Sequence, residues 1–275
     1  MMPPSVSTPT LYRRAFVGIV SRELLRFLKQ RERFFSALVR PLVWLVIFAA
    51  GFRAVLGLPI QPPYPTYITY DVYIVPGLVA MIQLFNGMQS SLSMVYDREM
   101  GSMRVLLTSP LPRWFLLVSK LFAGTCVSIL QAYAFLLVAV ALGIKIPWMG
   151  FLTILPVMAL TGLMLGAVGM LLSSTVRQLE NFAGVMNFVI FPTFFLSSAL
   201  YPLWKMRESN YIVWQLCQLN PFTYAVEALR FGLYAKVNGF ALSIVAVTLV
   251  VFLAGAIFGY NPSRGFQVRK SGGGE

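Results

Sequence analysis

Six long apolar runs decide what this chain can fold into. A helix that crosses a bilayer needs about 20 mostly apolar residues. Leu38–Phe52 (extended by its flanks), Val72–Val95, Trp114–Leu142, Phe151–Leu172, Phe182–Leu203 and Phe240–Tyr260 each meet or approach that length. Hydrophobic residues make up 58% of the 275 and charged residues only 11%, against roughly 25% charged in a soluble domain. Such a chain lacks the polar surface to cover a globular core in water, so lipid must be its solvent. Backbone polar groups in lipid have to be satisfied within the segment, which favours helices. The expectation is an all-α polytopic membrane protein with six transmembrane helices, a single domain over residues 1–260 followed by a tail at 261–275.

The net charge of +13 at first suggests a nucleic-acid partner. Its distribution argues against one, because the basic residues sit at the ends of apolar runs. With both termini placed in the cytoplasm, sixteen of the 22 Lys and Arg fall inside and six outside, the asymmetry expected of inner loops. MMPPSVSTPTLYRR has no apolar signal core followed by a cleavage site, so the chain is expected to be inserted rather than secreted. Cys126 lies within one apolar run and Cys217 within another near the opposite face, so a disulfide framework is not expected.

Shorter segments carry their own patterns. Over residues 11–35, Tyr12, Phe16, Ile19, Val20, Leu24, Phe27 and Leu28 recur at helical spacing, and Arg22, Arg26, Lys29 and Arg33 form a basic stripe on another face. That pairing predicts a helix lying in the headgroup plane. Ile212–Leu219 is apolar but too short to span, and Asn220-Pro221 behind it reads as an N-cap followed by proline at the first helical position. A helix then runs through Tyr224, Glu227 and Arg230 to about Lys236. Residues 211–236 thus predict a re-entrant or outer-interface hairpin before the last span. Glu227 and Arg230, three apart, can pair on one helix face.

Absent motifs narrow the chemistry. The chain has no histidine, which removes the Ser-His-Asp triad and the HExxH zinc site. It has no G-x-x-x-x-G-K-[ST] phosphate loop. Carboxylates mostly avoid the spans, whereas carriers coupled to protons or sodium usually place ionisable groups inside the membrane. Asp71 and Glu227 are the only modest candidates for an interfacial acid or base. Polar side chains do occur in the spans. Gln83, Asn86 and Asn187 could line a substrate route, though amides at such sites also serve as interhelical hydrogen bonds. Gly162-x-x-x-Gly166 and Gly255-x-x-x-Gly259 permit close helix packing.

The remaining signal is the connector at 97–113, DREMGSMRVLLTSPLPR. A plain loop between spans has no need of an apolar ridge such as Val105-Leu106-Leu107 ahead of a Pro110–Pro112 breaker. Glu99-Met-Gly-Ser-Met-Arg-Val-Leu-Leu-Thr-Ser-Pro-Leu resembles the E-x-G-[TS]-x-x-x-L-x-x-[ST]-P pattern of type-2 ABC exporter permeases. Asn220-Pro-Phe-Thr-Tyr-Ala-Val-Glu-Ala-Leu-Arg resembles that family's N-P-x-[TS]-x-x-[VI]-[ED]-x-x-R segment. Val75-Pro-Gly-Leu resembles its entry to the second span. The three stand in the family's order, and Ser102 replaces the commoner threonine.

The resemblance implies a permease subunit of the bacterial cytoplasmic (inner) membrane that forms a pathway as a dimer with a second copy. ATP and magnesium would be handled by a separate nucleotide-binding ATPase, with no cofactor, catalytic residue or metal in this chain. The 97–113 connector would seat in that ATPase. Glu99, Gly101, Arg104, Leu106, Leu107, Ser109 and Pro110 would do the coupling, with the leucines buried in a cleft and the prolines stiffening the exit. Asn220, Pro221, Tyr224, Glu227 and Arg230 would close the outer end. Two other classes compete: an ATP-independent carrier or channel, active alone on a gradient, and an intramembrane transferase.

Overall fold

The computed structural model describes residues 8–29, 31–52, 62–99, 111–176 and 179–259. Every regular element of any length among them is an α-helix: α1 Thr8–Lys29, α2 Arg31–Phe52, α3 Tyr70–Glu99, α4 Arg113–Ala141, α5 Trp148–Thr175, α6 Leu179–Phe195, α7 Leu203–Ser209, α8 Tyr211–Leu219, α9 Pro221–Leu233 and α10 Gly239–Gly259. Among the described residues, four helices are long and apolar enough to cross a membrane, namely α3 (over Tyr70–Tyr96), α4, α5 and α10. The apolar part of α2, Leu38–Phe48, and the 17-residue α6 are shorter.

The second of the apolar runs, α3, is the axis of the bundle. It packs against α2, α4, α5, α6 and α9, while α10 lies outside against α5 and α9. Leu78, Met81, Leu84 and Met88 of α3 are fully buried. Small residues let α3 and α5 approach backbone to backbone. A Cβ placed on Gly87 would lie 2.9 Å from the Gly166 Cα. One placed on Gly162 would lie 2.8 Å from the Thr125 methyl of α4, and one on Gly259 would lie 2.7 Å from the Ser174 hydroxyl. Both Gly-x-x-x-Gly pairs therefore serve packing between helices of one chain, the use expected where lipid offers no hydrophobic drive to association.

Two sequence boundaries shift. The predicted headgroup-plane helix over 11–35 ends at Lys29, and residues 31–35 begin α2. Most of the apolar stripe of α1 faces α4, where Tyr12 meets Phe115 edge-on at 4.8 Å and Phe16 meets Phe122 at 5.2 Å, and Phe27 is buried, but Leu28 falls on the exposed side. Arg13, Arg14, Arg22, Arg26 and Lys29 remain on the exposed face.

The fifth run, expected to stay helical from Phe182 to Leu203, stops at Phe195 and turns over 196–200. The cause is long-range: side chains from α3 and α9 take up the carbonyl groups of that turn, which a continued helix would have used itself.

Candidate functional site

The turn at 196–200 is where three distant segments meet. Tyr70 donates its hydroxyl proton to the Leu200 carbonyl at 2.8 Å, and Tyr73 donates to the Ser198 carbonyl at 3.0 Å. Arg230 Nη2 donates to that same Ser198 oxygen at 2.9 Å. Carbonyls of a buried turn need partners outside any helical ladder, and here long side chains from α3 and α9 supply them. Gly77 makes room for the approach, since a Cβ there would stand 2.5 Å from the Ala199 carbonyl oxygen.

Asn220 organises the junction ahead of α9 from both ends of its amide. Its Oδ1 accepts from the Phe222 N–H at 3.0 Å, capping α9 over Pro221 at the first helical position. Its Nδ2 donates to the Thr193 and Leu196 carbonyls at 2.7 and 2.6 Å, closing the end of α6. Thr223 Oγ1 donates to the Cys217 carbonyl at 2.7 Å and the Tyr224 hydroxyl to the Gln218 carbonyl at 2.9 Å, closing the end of α8. The N-P-x-T-Y string is thus a reciprocal cap joining three helices. Asn210 caps α8 in the same manner, its Oδ1 accepting from the Ile212 and Val213 N–H groups.

Arg230 is the charge at the centre. It is 4% exposed. Nη1 pairs with Glu227 Oε1, and the guanidinium carbon sits 4.1 Å over the Tyr73 ring. A buried cation is tolerable when paired and hydrogen-bonded, and this one has a carboxylate, a carbonyl and a π face. Its Nε is left without a partner among the described residues. Tyr64 closes the cluster from the 62–69 loop, edge-on to Tyr234 at 4.9 Å, while Lys236 Nζ donates to the Pro63 carbonyl at 2.9 Å. Burial pushes the Tyr64 phenol up to about 12, with the positive charge of Arg230 pulling the other way. Asn220, Pro221, Tyr224, Glu227 and Arg230 are therefore brought together, and Tyr70, Tyr73, Ser198 and Gly77 join them. Sequence reasoning misses those last four as parts of one site. Tyr70 and Tyr73 carry no local signal of this role, whereas Gly77 is visible inside the Val75-Pro-Gly-Leu motif.

A second polar group lies deeper, between α3, α4 and α5. Gln83 is buried; its Nε2 donates to the Met158 carbonyl at 2.7 Å and its Oε1 accepts from Thr161 Oγ1 at 2.7 Å. Asn86 Nδ2 donates to the Ile82 carbonyl at 3.0 Å and to Gln131 Oε1. The cavity beside them, bounded by Gln83, Ser90, Thr125 and Ser128, holds about 10 Å³, room for one water and no more. Asn187 stands apart, exposed on α6. Gln83 and Asn86 thus act as interhelical hydrogen bonds here, and the three residues do not converge on one passage within a single chain.

Of the connector, Glu99 ends α3, and Gly101, Arg104, Leu106, Leu107, Ser109 and Pro110 lie outside the described residues. Among the described residues, no three Cys, Asp or Glu side chains gather closely enough to hold a metal ion. Asp71 is buried in the first turn of α3, its Oδ1 without a partner among the described residues, and the Glu227 carboxylate is committed to Arg230.

Residues 14–234 match the family pattern described as ABC-2 type transporter. The chain is 29% identical over 219 residues to the putative transport permease ycf38 of Cyanophora paradoxa, covering 78% of this chain and 72% of that one. It is 32% identical over 175 residues to YbhR of Escherichia coli K12, named as a probable multidrug ABC transporter permease, covering 61% of this chain and 45% of that one. It is 24% identical over 196 residues to nodulation protein J of Rhizobium leguminosarum bv. trifolii, covering 70% and 71%.

Proposed function

The chain belongs to the ABC-2 type transporter family, a multi-pass transport permease, and from that premise we propose that it is the membrane subunit of an ATP-driven exporter. Two copies form the pathway in the cytoplasmic membrane, with both termini inside. A separate ATPase subunit engages residues 97–113. The chain crosses six times, with α2 and α6 completing the set begun by α3, α4, α5 and α10, and α8 and α9, within residues 211–236, form a re-entrant hairpin at the outer face.

The observation that carries this reading is the buried Arg230–Glu227–Ser198 fastening. It lies within the Asn220–Arg230 segment that resembles the family motif, and it ties the hairpin to both α3 and the end of α6. A closure built from one paired arginine and a few carbonyl bonds has two discrete states, fastened and released. ATP-driven movement at the connector biases the spans between two packings, open inward or outward, and the fastening gives the outward state a defined barrier. ATP and magnesium act on the partner, and this chain supplies the path.

The experiment is a mild-detergent purification of the tagged chain from native membranes, with ATPase activity assayed on the eluate. A co-purifying ATPase that is lost on Leu106→Asp, with the chain still inserted, supports the exporter and its connector. A chain free of ATPase that transports on a gradient alone overturns it in favour of an independent carrier.

A further inference from the structure

Arg40 belongs by sequence position to the basic N-terminal segment, yet it lies inside the apolar part of α2, Leu38–Phe48. Its guanidinium carbon sits 4.0 Å from the centroid of the Phe85 ring. Phe85 is midway along α3, 15 residues from Tyr70 and 14 from Glu99, about 22 Å from either end at 1.5 Å per residue. Among the described residues Arg40 has no carboxylate partner, and its side chain is exposed on the bundle surface. Arg40 is the third residue of that apolar stretch, yet its guanidinium lies on a ring at mid-helix, where a cation is expensive and marks a functional site by default. The Arg230 cluster shows how this same fold satisfies a cation it means to keep, with a carboxylate and a carbonyl. Arg40 has neither among the described residues.

What it does have is a run of rings leading outward. Phe85 meets Phe191 edge-on at 6.4 Å, Phe191 stacks with Phe195 at 6.4 Å, and Phe195 lies 5.8 Å from Trp44. Trp44 stacks on Phe48 at 5.2 Å, and Phe48 stands beside Tyr70 at the outer end of α3. Phe191 and Phe195 are each 41% exposed. The rings come from α2, α3 and α6, and they form one apolar track with Arg40 at its inner end.

We propose that Arg40 and this aromatic track form a binding site for an amphiphile with one anionic group, carboxylate or phosphate, attached to an apolar body. The anion takes the place that Glu227 fills for Arg230, by the charge-assisted pairing that a guanidinium forms well. The apolar body lies along the rings. The site assigns a substrate class to the pathway and so rests on the transport reading above, although binding itself needs no ATPase.

The test uses the full chain in nanodiscs of zwitterionic phosphatidylcholine. The probes are a terminally brominated dodecanoate and its methyl ester, read by bromine quenching of Trp44 fluorescence against a Trp44→Phe control. The carboxylate is expected to bind about ten- to a hundred-fold more tightly than the ester, the range for a hydrogen bond to a charged group. R40Q should erase that difference and R40K should keep most of it. Equal binding of acid and ester by the unaltered chain overturns the proposal, as does an acid preference that survives R40Q. If phosphatidylglycerol added to the nanodisc competes through Arg40 alone, the residue holds a bilayer lipid and the cargo assignment falls. A chain that passes this test but brings down no ATPase refutes the exporter reading alone, so the two failures are separable.

Discussion

Removing the carboxylate of Glu227 should loosen the Arg230 fastening more than replacing the whole ion pair. Arg230 is 4% exposed, and in Glu227→Ala it would keep the Ser198 carbonyl and the Tyr73 ring but lose the counter-charge it is paired with. Breaking a buried pair from one side costs about 3–5 kcal/mol. The low end applies, because the Glu227 side chain is 20% exposed and two of the contacts of Arg230 survive. For a chain of this size, each 1 kcal/mol moves a thermal midpoint by about 2–4 °C, so about 3 kcal/mol lowers it by about 6–12 °C. The chain supplies its own reporter. Cys217 is fully buried beneath the junction, and Cys126 is the only other thiol. In a Cys126→Ser background, a thiol-reactive fluorophore therefore follows Cys217 as the protein unfolds in detergent. The double replacement Glu227→Leu with Arg230→Met removes both charges and refills the space, and should recover much of the loss. Two results would refute the reasoning. One is a shift below about 2 °C for Glu227→Ala, which would put its cost under about 1 kcal/mol. The other is a double variant no more stable than Glu227→Ala.

Two further outcomes follow from the same cluster. Gly77→Ala brings a methyl to 2.5 Å from the Ala199 carbonyl oxygen, a backbone atom that can yield only if the turn moves; a cost of about 1–3 kcal/mol is expected for such overpacking, and a midpoint unchanged in the Cys217 assay would show that the turn is not fastened there. Tyr64 is held neutral by burial, with its folded value at about 12 against an ordinary 10.0. A raised value means that its contribution is fully present below the ordinary pKa and disappears as pH climbs through the folded one. The stability difference between the unaltered chain and Tyr64→Phe should therefore decline steadily as pH rises from 10 toward 12, and a difference that stays flat over that interval would place the phenol in water.

Hydropathy makes α3, α4, α5 and α10 legible, because a continuous apolar run of that length has one economical form in lipid. It overruns α6 for an equally physical reason. Leu196-Ser-Ser-Ala-Leu200 is nearly as apolar as the helix before it, and what bends it is a set of donors 24 to 130 positions away: Tyr70, Tyr73, Asn220 and Arg230. Long-range hydrogen bonds leave no mark in a local window. The Asn220-Pro221 cap is readable because capping is local, but the second half of its amide, turned back onto α6, is not. Arg40 stands in plain view and disappears into a charge count. Counting cations by side of the membrane treats position as irrelevant, and a cation inside an apolar run means something different from one in a loop.

The two faces of α3 differ in kind, and the difference bears on how such a bundle could move. Toward α5 it is joined by amide-to-carbonyl and hydroxyl-to-amide bonds at 2.7 Å and by glycine contacts that admit no third atom. Sliding there would break polar bonds in a medium with no water to replace them. Along α2 and the helical part of α6, α3 meets rings on rings and a guanidinium on a ring, and only at the turn beyond α6 do the Tyr70 and Tyr73 hydroxyls bond across. Ring contacts have shallow preferences in angle and offset, so α2 can shift along α3 without leaving a donor stranded, and α6 can follow once the Tyr70 and Tyr73 hydroxyls release the turn at its end. Rearrangement of the spans should therefore divide the chain at that aromatic face, with α3, α4 and α5 moving as one body. The track beginning at Arg40 lies on that dividing face, where the rings can part and close without disturbing the hydrogen-bonded interior.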